Sequence, residues 1–126
     1  VAVMYCDLDG FKAVNDEHGH LVGDQVLVEL VERIGSRLRE SDVLARWGGE
    51  EFIVLMPHAT VDDAMALAES LRLLVSSTAM AKDGTVTCSI GVAEYVVGES
   101  MDAWLSRADR ALYEAKASGR NAVRSA

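Results

Sequence analysis

Two acidic sites in this 126-residue chain stand where solubility alone does not call for carboxylates. Asp7 closes the apolar run Val1 to Cys6, and Glu50 and Glu51 follow the glycine pair Gly48-Gly49 between two further apolar runs. Gathered carboxylates repel one another unless a cation joins them, and such hard oxygen donors suit Mg²⁺ or Mn²⁺. The glycines permit positive φ and let a ligand approach the backbone closely. If the strand that ends at Asp7 neighbours the hairpin that carries Glu50 and Glu51, the three acids converge at one sheet edge. The same residues also suit a solvent-exposed turn and a strand-end cap, and spacing alone leaves both readings open.

The elements that must position these acids can be read from hydrophobic period and punctuation. Val1 to Cys6 predicts a buried strand, and Asp9 is placed to cap a short helix over Gly10 to Glu17. Gly19 and Gly23 break the chain, and Asp24 is the next N-cap candidate. Val26, Leu27, Leu30, Val31, Ile34 and Leu38 recur at helical spacing, predicting a helix from Asp24 to Leu38. Val43 to Trp47 and Phe52 to Met56 form a hairpin across Gly48 to Glu51, stopped by Pro57. A third helix opens at Asp62 or Asp63, followed by a strand from Thr85 to Tyr95 that Gly91 interrupts. Ser100 caps a last helix, Gly119 ends it, and Asn121 to Arg124 is a short extended piece. This order predicts one α+β sandwich, a mainly antiparallel central sheet flanked by helices.

Composition narrows the classes. Half the residues are hydrophobic and a quarter charged, as in an ordinary globular domain. A net charge of −8 argues against non-specific nucleic-acid binding, and a nucleotide substrate would need a divalent cation to screen its phosphates. Cys6 and Cys88 lie in apolar, β-branched surroundings, which predicts buried reduced thiols and a cytoplasmic compartment. No signal peptide or bilayer-length apolar run is present, so no membrane contact is expected of this domain. His18 and His20 lack a third ligand at zinc spacing, and His58 carries no signal.

Seven motifs in register resemble the GGDEF family of diguanylate cyclase catalytic domains. They are Asp7-Leu8-Asp9-Gly10-Phe11-Lys12, Asn15-Asp16, Gly19-His20, Gly23-Asp24, Arg46 to Phe52, Ser89 to Ala93 and Ala108 to Lys116. The resemblance implies a palm-like fold of the nucleotidyl-cyclase type. It implies condensation of two GTP into cyclic di-GMP with release of two pyrophosphates, each subunit of a homodimer holding one GTP. It also implies a bacterial protein whose full length could be membrane-anchored, with a sensor or regulatory domain upstream. The first residue already lies inside a strand pattern, and the family's upstream Asp-x-Leu-Thr-x-Leu-x-Asn-Arg stretch is absent. Residues 1–126 are therefore expected to be a single catalytic domain without that N-terminal segment.

The resemblance also implies residue roles. Asp7, Glu50, Glu51 and the Leu8 carbonyl match the metal site, with Glu50 standing where the family's namesake has Asp. Asn15 and Asp24 match the guanine-reading pair: a carboxylate accepts guanine N1–H and N2–H₂ together, which adenine lacks. Lys12, Lys116, Arg120 and the backbone near Phe11 match the triphosphate contacts, with Gly48 and Gly49 giving room for the nucleotide. Arg39-Glu40-Ser41-Asp42 falls where the family carries its product-inhibition site, and Arg72 is a candidate second contact to cyclic di-GMP. The alternative reading is a non-catalytic module that binds cyclic di-GMP or GTP.

Overall fold

The computed structural model describes residues 1–77, 79–81 and 84–126. It is an α+β sandwich. Strand β1 (Ala2–Asp9) leads through helices α1 (Phe11–His18) and α2 (His20–Gly35) to the hairpin β2 (Val43–Gly48) and β3 (Glu51–Met56). Helix α3 (Val61–Ser76) precedes a small hairpin, β4 (Ala79–Ala81) and β5 (Gly84–Thr85). Strand β6 (Thr87–Glu94), helix α4 (Met101–Ala117) and strand β7 (Val123–Ser125) complete the chain. The main sheet has the order β2-β3-β1-β6-β7, antiparallel throughout except where β7 runs parallel to β6.

Burial explains why β1 reads as a continuous apolar run rather than an alternating one: helices cover both of its faces. Met4, Cys6 and Leu8 belong to the larger core with Val26 and Leu30 of α2 and Ala68 and Leu71 of α3. Val3 lies on the other face with Trp104 and Ala108 of α4. Cys6 and Cys88 are buried free thiols, as expected, and their mutual hydrogen bond, followed by burial, holds the Cys6 thiol well above its usual range. Among the described residues no helix is long and apolar enough to cross a membrane.

Several local expectations are corrected. Asp9 does not cap α1: its N-cap is Gly10 (φ 76°), with no side-chain hydrogen bond. Gly23 does not break the chain but lies within α2, which starts at His20, so Asp24 is not an N-cap either. A Cβ at Gly23 would stand 1.8 Å from Asn15 Oδ1, so helix continuity here depends on glycine making room for that amide. Helix α2 ends at Gly35, short of Leu38. The cap of α3 is Thr60, which forms a reciprocal capping box with Asp63. Gly91 does not interrupt β6. It lets α4 lie directly on the strand, where a Cβ would meet Ala108 O and Leu112 N at 2.2 Å. Ser100 caps α4 as expected, accepting from Ala103 N–H.

Candidate active site

The register of β1 against β3 sets Asp7 directly opposite Glu51, at one end of the central strands. The hairpin tip between β2 and β3 folds toward β1, and the Leu8 N–H donates to the Glu50 carbonyl at 3.2 Å. A cleft of about 200 Å³ opens there, walled by Asp7, Glu50 and the Asp9-Gly10-Phe11-Lys12 turn, with Lys116 of α4 and Arg120 just beyond that helix closing one side.

Charge in this cleft is arranged unevenly. Asp7 is only 7% exposed, and its Oδ2 pairs with Lys116 Nζ. Its Oδ1 is buried without a hydrogen-bond partner, a state that costs free energy wherever it persists. Among the described residues no three His, Cys, Asp or Glu side chains by themselves form a group that could hold a metal ion. The donor chemistry still fits a hard cation: an unpartnered buried carboxylate oxygen lies beside Glu50 in the cleft wall, with Glu51 across the strand pair. Glu51 also lies near Tyr5, whose hydroxyl is pushed up by burial first, then by Asp109 and Glu51.

The basic side of the cleft lies against a helix start. Helix α1 begins at the cleft wall with no side-chain cap and no acid in its first turn, and such a helix N-terminus favours anions. Lys116 lies in the last turn of α4, where the helix dipole also favours a cation. The Asn15 amide occupies the space beside Gly23, the residue that precedes Asp24. Asp24 is exposed on α2 and its carboxylate is not spent on capping.

Arg39 and Asp42 lie at the opposite end of the hairpin. The Asp42 carboxylate accepts from Arg39 N–H at 2.9 Å, and Asp42 N–H returns a bond to Arg39 O at 3.0 Å. Together they wall a cavity of about 300 Å³ with Arg37, Met56 and Asp63. Arg72 does not line it. Its guanidinium is held by Glu69 and donates to Asn121 Oδ1 at 3.0 Å.

Three contributors escaped the sequence reading. Arg37 lines the Arg39 cavity, and Arg46 braces the hairpin tip, with Nη2 donating to Gly49 O at 2.7 Å. A cation just before a glycine pair was the available signal for Arg46, since such a tight tip exposes carbonyls. Asp9 spends its carboxylate on Thr87, Ser89 and Asn121, which lie far from it in sequence.

Comparison with known proteins agrees with this arrangement. The family profile described as "Diguanylate cyclase, GGDEF domain" matches residues 1–122. Diguanylate cyclase DgcM of Escherichia coli K12 is 43% identical over 122 residues, covering 97% of this chain and 30% of that protein. The GGDEF domain of DgcB from Caulobacter crescentus, solved in complex with c-di-GMP, superposes with a TM-score of 0.93 at 36% identity, covering 98% of this chain and 76% of that one. The active GGEEF domain of a diguanylate cyclase from Vibrio cholerae gives a TM-score of 0.92 at 31% identity, covering 98% and 81%. The chain spans about a third or less of the length of the first curated relatives it matches.

Proposed function

The chain belongs to the GGDEF domain family of diguanylate cyclases, and from that premise we propose that it condenses two GTP molecules into cyclic di-GMP. The observation that carries this reading is the cleft itself, where Asp7 and Glu50 face Lys12, Lys116 and Arg120. An acidic pair fits a divalent cation, and three cations beside a free helix N-terminus fit a triphosphate.

Two such clefts must face each other in a homodimer. Each 3′-oxygen then bonds to the α-phosphorus of the opposite GTP, the α–β anhydride bond breaks, and pyrophosphate leaves with its electron pair. The hydroxyl proton passes to Glu51 acting as base, and its register opposite Asp7 supports that role. Asp7, Glu50, Glu51 and the Leu8 carbonyl would hold Mg²⁺ or Mn²⁺, which would supply positive charge to offset that of the phosphates. Lys116 then shares Asp7 and the phosphates, while Lys12, Arg120 and the amides near Phe11 orient the triphosphate. Asn15 and Asp24 read guanine, and Gly48 and Gly49 keep the tip open to the nucleotide. The Vibrio cholerae domain with Glu at the third signature position supports activity for the same residue type here.

The Arg39–Asp42 cavity serves product feedback, with cyclic di-GMP taking the guanidinium and the carboxylate; Arg37 is better placed than Arg72 to add a cation there. Residues 1–126 act as one catalytic domain in the bacterial cytoplasm, and a regulatory domain outside this segment brings two copies together. The deciding experiment fuses the chain to a dimerising coiled coil and incubates it with GTP and Mg²⁺. Chromatographic appearance of cyclic di-GMP is expected. Tight binding of cyclic di-GMP with no turnover by the enforced dimer would overturn catalysis in favour of a regulatory module.

A further inference from the structure

The cleft contains one carboxylate that neither cation binding nor guanine reading uses. Asp9 ends β1, and its Oδ1 and Oδ2 accept from the Ser89 and Thr87 hydroxyls, each at 2.8 Å. Oδ2 also accepts from the backbone N–H of Asn121 at 3.0 Å. Three donors thus occupy the Asp9 carboxylate.

Asn121 lies in the loop between α4 and β7, where the backbone takes an uncommon course. Gly119, Arg120 and Asn121 have φ of 117°, 63° and 45°. Left-handed backbone costs free energy at a residue with a Cβ and persists where surrounding bonds over-determine it. Arg120 N–H closes the end of α4 on the Ala115 carbonyl at 3.2 Å. Asn121 is gripped from two sides, by Asp9 at its N–H and by Arg72 at its side-chain oxygen. Between these fixed points sits Arg120, in the cleft wall with Lys12 and Lys116.

We propose that Asp9 is a positioning residue: by holding Asn121 it locks the left-handed loop that keeps the Arg120 guanidinium in the cleft, and so sets affinity for the nucleotide's polyphosphate. This rests on the nucleotide reading above. Without the Asp9 acceptor, two non-glycine residues have reason to relax to negative φ, which turns Arg120 away while leaving Lys12 and Lys116 in place.

A mutant cycle tests it, read by calorimetric titration with the α,β-methylene analogue of GTP and Mg²⁺. Arg120→Ala weakens binding about tenfold, the loss of one charged contact, and Asp9→Ala weakens it by a similar factor. The double variant binds no more weakly than Arg120→Ala alone, because Asp9 acts through Arg120. Multiplied losses, or an Asp9→Ala chain that binds as tightly as the parent, overturn the proposal. Should Asp9→Ala fail to fold, Asp9→Asn keeps the shape and one acceptor oxygen, and the same cycle applies with a smaller loss. Amide hydrogen exchange without nucleotide separates the loop from the function. Faster exchange at Asn121 in Asp9→Ala supports the lock, and exchange unchanged from the parent overturns it. A parent chain that does not bind the analogue would overturn the nucleotide reading, and with it the consequence drawn for Arg120, while the exchange result still reports on the loop.

Discussion

The two ends of the central strands β1 and β6 are built on different terms. At the end where Ala2 pairs with Glu94, polar groups are used up on one another. Trp104 Nε1 donates to Ala93 O at 3.0 Å, and its ring meets Tyr95 edge-on at 5.4 Å. Arg107 joins Glu99 to the Glu94 carbonyl, Ser100 caps α4, and Thr60 and Asp63 close the start of α3. At the end where Asp7 pairs with Ser89, α1 and α2 lack side-chain caps, Asp7 Oδ1 has no partner, and Arg120 and Asn121 are left-handed. One end satisfies its polar groups internally and holds the helices on the sheet. The other keeps unmet hydrogen-bonding capacity and strain, which a ligand can use. The β2–β3 hairpin joins the cleft to the Arg39 cavity, about 17 Å away along β3 at ordinary strand rise.

Substitutions at the two ends should therefore separate activity from stability. The largest effect is expected from Glu50→Gln, which abolishes turnover of GTP by the enforced dimer while leaving the melting temperature unchanged. Parent-like rates would remove Glu50 from the cation site. Trp104→Ala, at the satisfied end, should cost about 3–5 kcal/mol in urea unfolding, the usual range for truncating a buried large aromatic. A loss under about 1 kcal/mol would show that α4 is held mainly by other contacts. Arg39→Ala should raise the inhibition constant for cyclic di-GMP about tenfold without altering initial rates, by removing one charged contact. An unchanged constant would detach that cavity from feedback.

The smallest effect concerns acid. The hydrogen bond from Arg107, with further help from the Val96 N–H, holds the Glu99 carboxyl below its usual range. The folded chain thus binds this proton less readily than the unfolded chain. The stabilisation is complete above the ordinary carboxylate range and is lost as pH falls through the lowered value. Glu99→Gln should flatten the decline of melting temperature below about pH 4. An unchanged acid limb would mean that Glu69 and Asp63, shifted the same way, dominate it.

Most of the fold was legible in the sequence because its signals are local. Continuous apolar runs marked β1 and β3, helical spacing marked α2 to α4, and Ser100 marked the start of α4. The misread points share one cause. Gly23, Gly91 and Asp9 each answer to a distant partner: Asn15 and Phe11 for Gly23, the α4 backbone for Gly91, and Thr87, Ser89 and Asn121 for Asp9. Local rules made the glycines breaks and Asp9 a cap because nothing nearby contradicts those readings.

The candidate site divides in the same way. By itself the sequence determined which residue types are available: the acids Asp7, Glu50 and Glu51, the amide and acid Asn15 and Asp24, and the cations Lys12, Lys116 and Arg120. Only the tertiary structure decided that Asp7 and Glu51 sit in register, that Lys116 pairs with Asp7, and that Arg72 braces Asn121 instead of the Arg39 cavity. The physical reason is that side-chain chemistry is a property of each residue. Pairing, burial and a left-handed loop arise only when segments more than a hundred positions apart, such as Asp9 and Asn121, are packed into contact.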